Sequence, residues 1–246
     1  MTFKDLFSSE AVDYARFRPS YPPALFAWLA AAAPGRTVAV DVATGNGQAA
    51  LGLADHFQRV IALDASAAQV AEAPSRANVT YGVAPAEATG LEAGSADLLT
   101  AAQAFHWFQH ERFFAEARRI LRPAGLLAVW CYGLTEITPE IDRVVRHLYG
   151  DVLRDCWEPE RRLVETGYRE IAVPLTPIDS PPFEMQRAWD LRSLIGYLRT
   201  WSALQAFMRA RGADPLLALE PDLARAWGDS PTRTARWTLS LRAFRV

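Results

Sequence analysis

The chain has little cysteine and no long hydrophobic run. Its 2 cysteines, Cys131 and Cys156, match neither the spacing of metal ligands nor a disulfide framework. The longest apolar stretch, Leu25 to Ala33, is far shorter than the ~20 residues that a membrane-spanning helix requires. The N-terminus lacks the charged-then-apolar pattern of a secretory signal. We therefore expect a soluble cytoplasmic protein that does not contact membranes.

The net charge of the chain is also small. The 26 basic and 28 acidic residues leave a formal net charge of −2 at pH 7, and every basic residue except Lys4 is an arginine. Because the chain has no strong positive field to follow a phosphate backbone, we predict no nucleic-acid partner. Half of the residues are hydrophobic, which is enough for a sizeable core and excludes a disordered chain or a coiled coil.

The first half of the chain alternates apolar strands with helices. The pattern predicts strands at Thr37–Val42, Arg59–Leu63, Val79–Val83, Ala96–Ala102 and Leu126–Trp130. Helices are predicted at Pro23–Ala33, Gly47–Phe57, Ser66–Glu72 (with Ser66 as N-cap) and Glu111–Leu121. Parallel strands joined by helical crossovers form an α/β fold with an open, doubly wound sheet.

The second half departs from this alternation. A helix is expected over Pro139–Leu153, a strand over Glu170–Leu175, two or three helices between Trp189 and Trp227, and a half-exposed antiparallel strand over Thr232–Arg245. This pattern favours a cap inserted before the last strand of the sheet.

The most informative motif is the loop after the first strand, Asp41-Val42-Ala43-Thr44-Gly45-Asn46-Gly47-Gln48. Glycines here let the backbone turn sharply, and the N–H groups that open the next helix point toward an anionic ligand. At the end of the second strand, Asp64 is placed to accept hydrogen bonds from both hydroxyls of a ribose. The loop and Asp64 together predict a cofactor that contains a nucleoside.

The spacing of this loop fits more than one cofactor class. Gly45, Gly47 and Ala50 also satisfy the fingerprint of a nicotinamide-dependent oxidoreductase. The acidic Asp41 inside the end of the first strand, and the antiparallel strand that ends the chain, disfavour this alternative.

Further segments extend the pattern over nearly the whole chain. They are YARFRPSYP (14–22), DVATGNGQAA (41–50), VIALDAS (60–66), APAEA (84–88), AQAFHWF (102–108), RILRPAGLLAVW (119–130), GYLRTWSA (196–203) and RWTLSLR (236–242). In this order and spacing the chain resembles the class I S-adenosylmethionine-dependent methyltransferases, in particular the type-11 proteins related to trans-aconitate methyltransferases. The resemblance implies S-adenosyl-L-methionine as cofactor and S-adenosyl-L-homocysteine as product.

The resemblance also implies an architecture. It is a Rossmann-like, mostly parallel seven-stranded sheet in the order 3-2-1-4-5-7-6, with the last strand antiparallel and a helical cap in the C-terminal half. Residues 1–22 would form a lid, and 23–132 the cofactor-binding core. Residues 133–231 would form the cap and substrate region with the sixth strand, and 232–246 the last antiparallel strand.

Residue roles follow from the same resemblance. The Gly45–Gly47 loop would hold the methionine moiety and Asp64 the ribose, with the adenine next to Ala86 and Glu87. The full set of expected cofactor residues is Asp41, Ala43, Gly45, Asn46, Gly47, Asp64, Ala65, Ala86, Glu87 and Gln103. Ala43 departs from the family, which usually has glycine there, so a backbone with φ > 0 at this position would be strained.

The methyl acceptor is expected between the lid, the sheet and the cap. The candidate residues are Tyr14, Arg18 and Tyr21 in the lid, Trp107, Trp130 and Tyr132 after the central strands, and Arg199 and Trp201 in the cap. Arginines and aromatic rings around one cleft suit a small carboxylate, which they bind by bidentate pairing and stacking. Such an acceptor is already ionised at neutral pH and needs no base.

His106 follows the fourth strand and is the candidate catalytic base. It would serve if the acceptor were a hydroxyl or amine of a metabolite or natural product. Its neighbours His110 and Glu111 straddle a strand–helix loop, so we predict no metal site. A protein that binds the cofactor without transferring methyl groups is the remaining alternative, and the sequence leaves open whether the chain is a monomer or a homodimer.

Overall fold

A single sheet runs through the computed structural model, which describes residues 17–246. Its strands are β1 (Val38–Val42), β2 (Arg59–Asp64), β3 (Val79–Val83), β4 (Ala96–Ala102), β5 (Leu121–Tyr132), β6 (Thr176–Ile178), β7 (Phe183–Trp189) and β8 (Arg233–Arg245). The order is β3-β2-β1-β4-β5-β8-β6, and β7 also pairs with β8. Strands β1 to β5 are parallel to one another, whereas β8 is antiparallel to β5, β6 and β7.

Helices connect and cover the strands. They are α1 (Pro23–Ala32), α2 (Gln48–Leu53), α3 (Ala67–Ala71), α4 (His110–Ile120), α5 (Pro139–His147), α6 (Arg161–Glu165), α7 (Leu191–Arg199), α8 (Ser202–Arg211) and α9 (Leu216–Trp227). In the part of the chain that the structure describes, no helix is long and apolar enough to cross a membrane.

Two apolar cores lie on opposite faces of the sheet. Side chains of a strand alternate between its faces, so Ala39 of β1 enters one core while Val40 enters the other. The first core contains α1, α2 and most of the cap, and the second contains α4 and α6. Burial on both faces explains why the central strands are continuous apolar runs.

The predicted fold is confirmed, including the strand order, the antiparallel last strand and the helical cap. The sixth strand differs in detail because it is divided into β6 and β7, which pair with successive parts of β8. Pro181 and Pro182 lie between these two strands. Proline has no N–H for a ladder hydrogen bond, so the strand is interrupted there.

The strand predicted over Glu170–Leu175 was wrong. This segment is a turn followed by irregular chain, and β6 begins only at Thr176. The Arg242 guanidinium donates hydrogen bonds to the carbonyls of Tyr168 and Ile171, which holds the chain in the turn. In contrast, the predicted N-cap Ser66 is confirmed, because its side chain accepts a hydrogen bond from the Gln69 N–H.

Candidate functional site

The glycine loop lies between β1 and α2, where β1 has β2 on one side and β4 on the other. This reversal of strand order is where open sheets bind ligands. Gly45 and Gly47 both have left-handed backbones, with φ of 57° and 86°. A Cβ at Gly47 would collide with the Tyr81 hydroxyl, whereas one at Gly45 would have no neighbour closer than 3.8 Å. The loop is therefore tightly packed below Gly47 and open beside Gly45.

Ala43 has the left-handed conformation that was expected to be strained, with φ of 51°. A left-handed backbone costs an L-residue roughly 1–2 kcal/mol. Hydrogen bonds of the next residue hold the turn: the Thr44 N–H donates to the Leu63 carbonyl over 3.0 Å, and its hydroxyl donates to Asp41 over 2.6 Å.

Asp41 is completely buried at the end of β1. Its carboxylate accepts hydrogen bonds from the hydroxyls of Thr44 and of Thr100 on β4. Burial raises the pKa of Asp41 to about 6, against the lowering effect of these two hydrogen bonds. Asp41 thus ties the glycine loop to both β1 and β4.

Asp64 ends β2 beside the loop. Its two carboxylate oxygens accept hydrogen bonds from the backbone N–H groups of Gly45 and Ser66, each over 2.8 Å. A carboxylate oxygen can accept more than one hydrogen bond, which is compatible with ribose hydroxyls bonded to Asp64. Together with the open side of Gly45, this geometry fits a nucleoside cofactor. Asn46 and Ala65 lie half-buried next to these two residues.

The other expected cofactor residues lie on the loops that follow β3 and β4. Ala86 is buried, and the Glu87 carboxylate accepts a hydrogen bond from the Gln109 N–H at the start of α4. Gln103 has φ of 56°, and its side-chain amide pairs with both the N–H and the carbonyl of Tyr132. This pairing joins the ends of β4 and β5.

A cleft enclosing about 650 Å³, part of it open to solvent, lies at the same edge of the sheet. Among the predicted residues, those that line it are Arg18, Gln103, His106, Trp107, Tyr132 and Trp201. The segment around Arg18, the ends of β4 and β5, and the cap therefore meet around one cavity.

Other candidates lie away from this cleft. Trp130 is fully buried, two residues before the end of β5. Its ring packs edge-on against the Tyr21 ring, with centroids 5.4 Å apart. Arg199 faces outward and forms ion pairs with Asp214 and Glu220 over 3.0 and 3.2 Å. Tyr14 lies outside the described residues.

Sequence reasoning missed several lining residues. They are Gly133, Trp157, Glu158, Arg161, Tyr197 and Ser202. Tyr197 lies in the last turn of α7 and Trp201 beyond its end, so the spacing of these residues along one helix gave no signal for Tyr197. The segment 157–161 had no signal either, because only the folding of the cap brings it to the sheet.

Arg18 joins three parts of the molecule at the cleft. Its guanidinium donates to the Tyr132 hydroxyl of β5 and to the Thr200 carbonyl of the cap, each over 3.3 Å, and lies 5.3 Å from the Tyr197 ring centroid. The Arg187 side chain donates to the Arg18 carbonyl. These contacts hold the segment around Arg18 against both sheet and cap.

Arg161 is the second cation of the cleft. Its Nε donates to the Tyr149 hydroxyl over 3.1 Å, and its guanidinium carbon lies 5.1 Å from the centroid of the Trp157 ring. In residues 17–246, no carboxylate forms an ion pair with it. Its guanidinium therefore contacts aromatic side chains, of which Tyr149 donates a hydrogen bond to Glu165, and it lines the cleft together with Glu158.

His106 lies on a helical turn, Phe105–Trp107, that the buried Phe105 anchors. Its Nδ1 is 3.0 Å from the Tyr168 hydroxyl. Burial, with a smaller effect of the Arg161 charge, lowers the pKa of His106 to about 3. The imidazole is therefore neutral at physiological pH. In the described part of the chain, no group of His, Cys, Asp or Glu side chains could hold a metal ion.

Comparisons with known proteins agree with this site. Residues 40–129, which contain the glycine loop and Asp64, match a family model described as a methyltransferase domain. A Dictyostelium discoideum protein named as a candidate methyltransferase is 34% identical over 93% of this chain and 90% of its own length. A Saccharomyces cerevisiae protein named as a candidate S-adenosylmethionine-dependent methyltransferase is 32% identical over 50% of this chain and 45% of its own.

A solved structure is similar over the whole fold. It is a protein of Anaeromyxobacter dehalogenans described as a candidate type II methyltransferase, 47% identical to this chain. The match covers 93% of this chain and 98% of that one, with a TM-score of 0.88.

Proposed function

The chain belongs to the class I S-adenosylmethionine-dependent methyltransferases, and we propose that it methylates an oxygen of a small carboxylate. Arg161 is the observation that carries this proposal. A guanidinium that faces the cleft without a described carboxylate partner is complementary to an anionic acceptor. The net charge of −2 gives no support to a nucleic acid in this role.

The state of His106 supports the same acceptor class. An imidazole with a pKa of about 3 is too weak a base to remove a proton from an alcohol or a phenol efficiently. A carboxylate has no proton to remove at neutral pH. The site therefore favours a carboxylate over the alternative in which His106 acts as a base on a metabolite or natural product.

The chain's own residues bind, orient and enclose the acceptor. When bound at the glycine loop and Asp64, S-adenosylmethionine would supply an electrophilic methyl group, and its transfer to a carboxylate oxygen would require no proton to be removed. Arg161 and Arg18 hold the carboxylate at the cleft, and the rings of Trp107, Trp157 and Trp201 exclude water around it. Fixing the acceptor in line with the methyl group provides most of the rate enhancement that such a displacement requires.

Replacing Arg161 tests the proposal. We expect Arg161→Met to lower kcat/KM for carboxylate acceptors about 30- to 1,000-fold, which corresponds to about 2–4 kcal/mol, because a carboxylate would lose its charged partner. Transfer of labelled methyl to a panel of carboxylates, phenols and amines measures this effect. The affinity for S-adenosylhomocysteine should not change, since the cofactor residues are on other loops.

Arg162→Met is the matched control. Arg162 is the next residue of α6, but its guanidinium is exposed and pairs with Glu170 over 3.1 Å. The Arg162→Met variant should therefore retain the kcat/KM of the wild type for carboxylate acceptors. Equal activity of Arg161→Met and wild type toward carboxylates, or a wild type that methylates only neutral acceptors, would contradict the proposal.

A further inference from the structure

Tyr168 is a buried residue that belongs neither to the expected cofactor residues nor to the lining of the cleft. It has φ of 62°, directly after Gly167 with φ of 60°. Two successive left-handed residues are rare, and for a bulky side chain such a backbone costs about 1–3 kcal/mol. Arg242 holds the strained turn by donating to the Tyr168 carbonyl. A Cβ at Gly167 would come within 2.7 Å of the Ser240 hydroxyl, so β8 presses closely on this turn.

The strained turn places the Tyr168 ring beneath His106. Tyr168 is fully buried, its ring stacks at 5.9 Å from the imidazole centroid, and its hydroxyl lies 3.0 Å from Nδ1. His106 itself lines the cleft. No described residue hydrogen-bonds its Nε2, so Nε2 is the ring nitrogen left for a ligand in the cleft.

The proton between Tyr168 and Nδ1 determines what Nε2 offers to that ligand. A neutral imidazole carries one N–H, and the hydrogen bond at one nitrogen decides which nitrogen has it. If the Tyr168 hydroxyl donates to Nδ1, Nε2 carries the proton and is a donor. If Nδ1–H donates to the Tyr168 oxygen, Nε2 has a free lone pair and can act as a base.

The surroundings of the hydroxyl favour the first arrangement. The Cys131 thiol also lies near it but donates its own proton to the Val164 carbonyl, and sulfur is a weak acceptor. The hydroxyl proton therefore has Nδ1 as its best acceptor among the described groups.

We propose that Tyr168 is a positioning residue that holds His106 as the Nε2-protonated tautomer, so that the imidazole donates a hydrogen bond to an oxygen of the acceptor. Charged and titratable groups around the ring, Arg161 and His110, disfavour a second proton on it. His106 then acts beside Arg161 as a second donor to the carboxylate. The identity of the acceptor rests on the proposed function, whereas the tautomer does not.

Nitrogen-15 NMR of the histidine-labelled protein reads the tautomer directly. The chain has 4 histidines, and the signal missing from His106→Gln identifies His106. We expect the Nε2–H tautomer at neutral pH in the wild type and a mixture of tautomers in Tyr168→Phe. An Nδ1–H tautomer in the wild type would overturn the proposal, and so would an unchanged Nε2–H tautomer in Tyr168→Phe.

Kinetics provide a second measurement. Tyr168→Phe should lower kcat/KM for a carboxylate acceptor about 5- to 20-fold, as expected for a weakened hydrogen bond, and leave the affinity for S-adenosylhomocysteine unchanged. His106→Gln keeps an N–H donor near the Nε2 position and should retain more activity than His106→Ala. An equal loss of activity in His106→Gln and His106→Ala would indicate that His106 acts as a base, and would contradict its role as a hydrogen-bond donor.

The outcomes separate the two proposals. An Nε2–H tautomer in a protein that methylates no carboxylate would contradict the proposed function alone. Methylation of carboxylates by a wild type with the Nδ1–H tautomer would contradict the role of Tyr168 alone. If Tyr168→Phe does not fold, two measurements still test the proposal. They are the tautomer of His106 in the wild-type spectrum and the activity of His106→Gln relative to His106→Ala.

Discussion

At the scale of the residue, Ala43 shows how a strained backbone can be retained in a binding loop. We expect Ala43→Gly to raise the free energy of unfolding by up to about 1 kcal/mol. Relief of the left-handed conformation gains roughly 1–2 kcal/mol, and the greater freedom of glycine in the unfolded chain offsets roughly 0.4–1 kcal/mol of this. Thermal or urea unfolding measures the change.

Ala124 offers the matched control, since it has φ of 62° at an exposed position in the irregular first part of β5. Ala124→Gly should raise stability by a similar amount. Neither variant should change the affinity for S-adenosylhomocysteine, because Ala43 already has the conformation that the loop requires. A less stable Ala43→Gly protein would show that the strain is not at this residue.

At the scale of the element, helix α7 carries a glycine for a packing reason. A Cβ at Gly196 would lie 2.5 Å from the end of the Phe17 ring. Alanine usually stabilises a helix interior by about 1 kcal/mol relative to glycine. Here we expect Gly196→Ala to lower the free energy of unfolding by a net of about 1–2 kcal/mol, because the added methyl group would force the Phe17 ring to move.

The displaced Phe17 adjoins Arg18, which lines the cleft, so Gly196→Ala should also raise KM for the acceptor. Gly150→Ala is the control, because a Cβ there would meet nothing within 4 Å. It should be neutral or slightly stabilising in the same unfolding and kinetic assays. A Gly196→Ala protein with unchanged stability and KM would mean that Phe17 does not rest on α7 in solution.

At the scale of the whole molecule, two buried groups act in opposite directions on stability in mild acid. The pKa of Asp41 is raised by burial to about 6, so the folded state binds its proton before the unfolded state does. Stability from this group therefore increases as pH falls below about 6. The pKa of His106 is lowered to about 3, so the unfolded state binds a proton first, and stability is lost as pH falls below about 6.5.

Urea unfolding of Asp41→Asn and His106→Gln between about pH 7 and pH 4.5 separates these contributions, each on the order of 2 kcal/mol over this range. Compared with wild type, Asp41→Asn should lose stability more steeply on acidification, and His106→Gln less steeply. The other paired carboxylates act equally in all three proteins. Parallel curves for the three would refute both assignments.

The fold could be predicted largely from the sequence. Strands buried on both faces, such as β1 and β4, are continuous apolar runs, and the crossover helices between parallel strands separate them clearly. The failed strand at Glu170–Leu175 and the unpredicted β7 both lie beside β8. Their conformation depends on side chains such as Arg242 that arrive from a distant part of the chain.

The sequence alone determined where the glycine loop and Asp64 lie, because they follow strands whose local pattern is strong and whose ends meet at one edge of a parallel sheet. Only the tertiary structure decided which side chains line the cleft. Arg161 begins the short helix α6 and Tyr168 lies in the turn after it, and both are brought to His106 by packing against β5 and β8, a contact that no local periodicity encodes. Trp130 was predicted near the acceptor, but the tertiary structure encloses it in the core and not in the cleft.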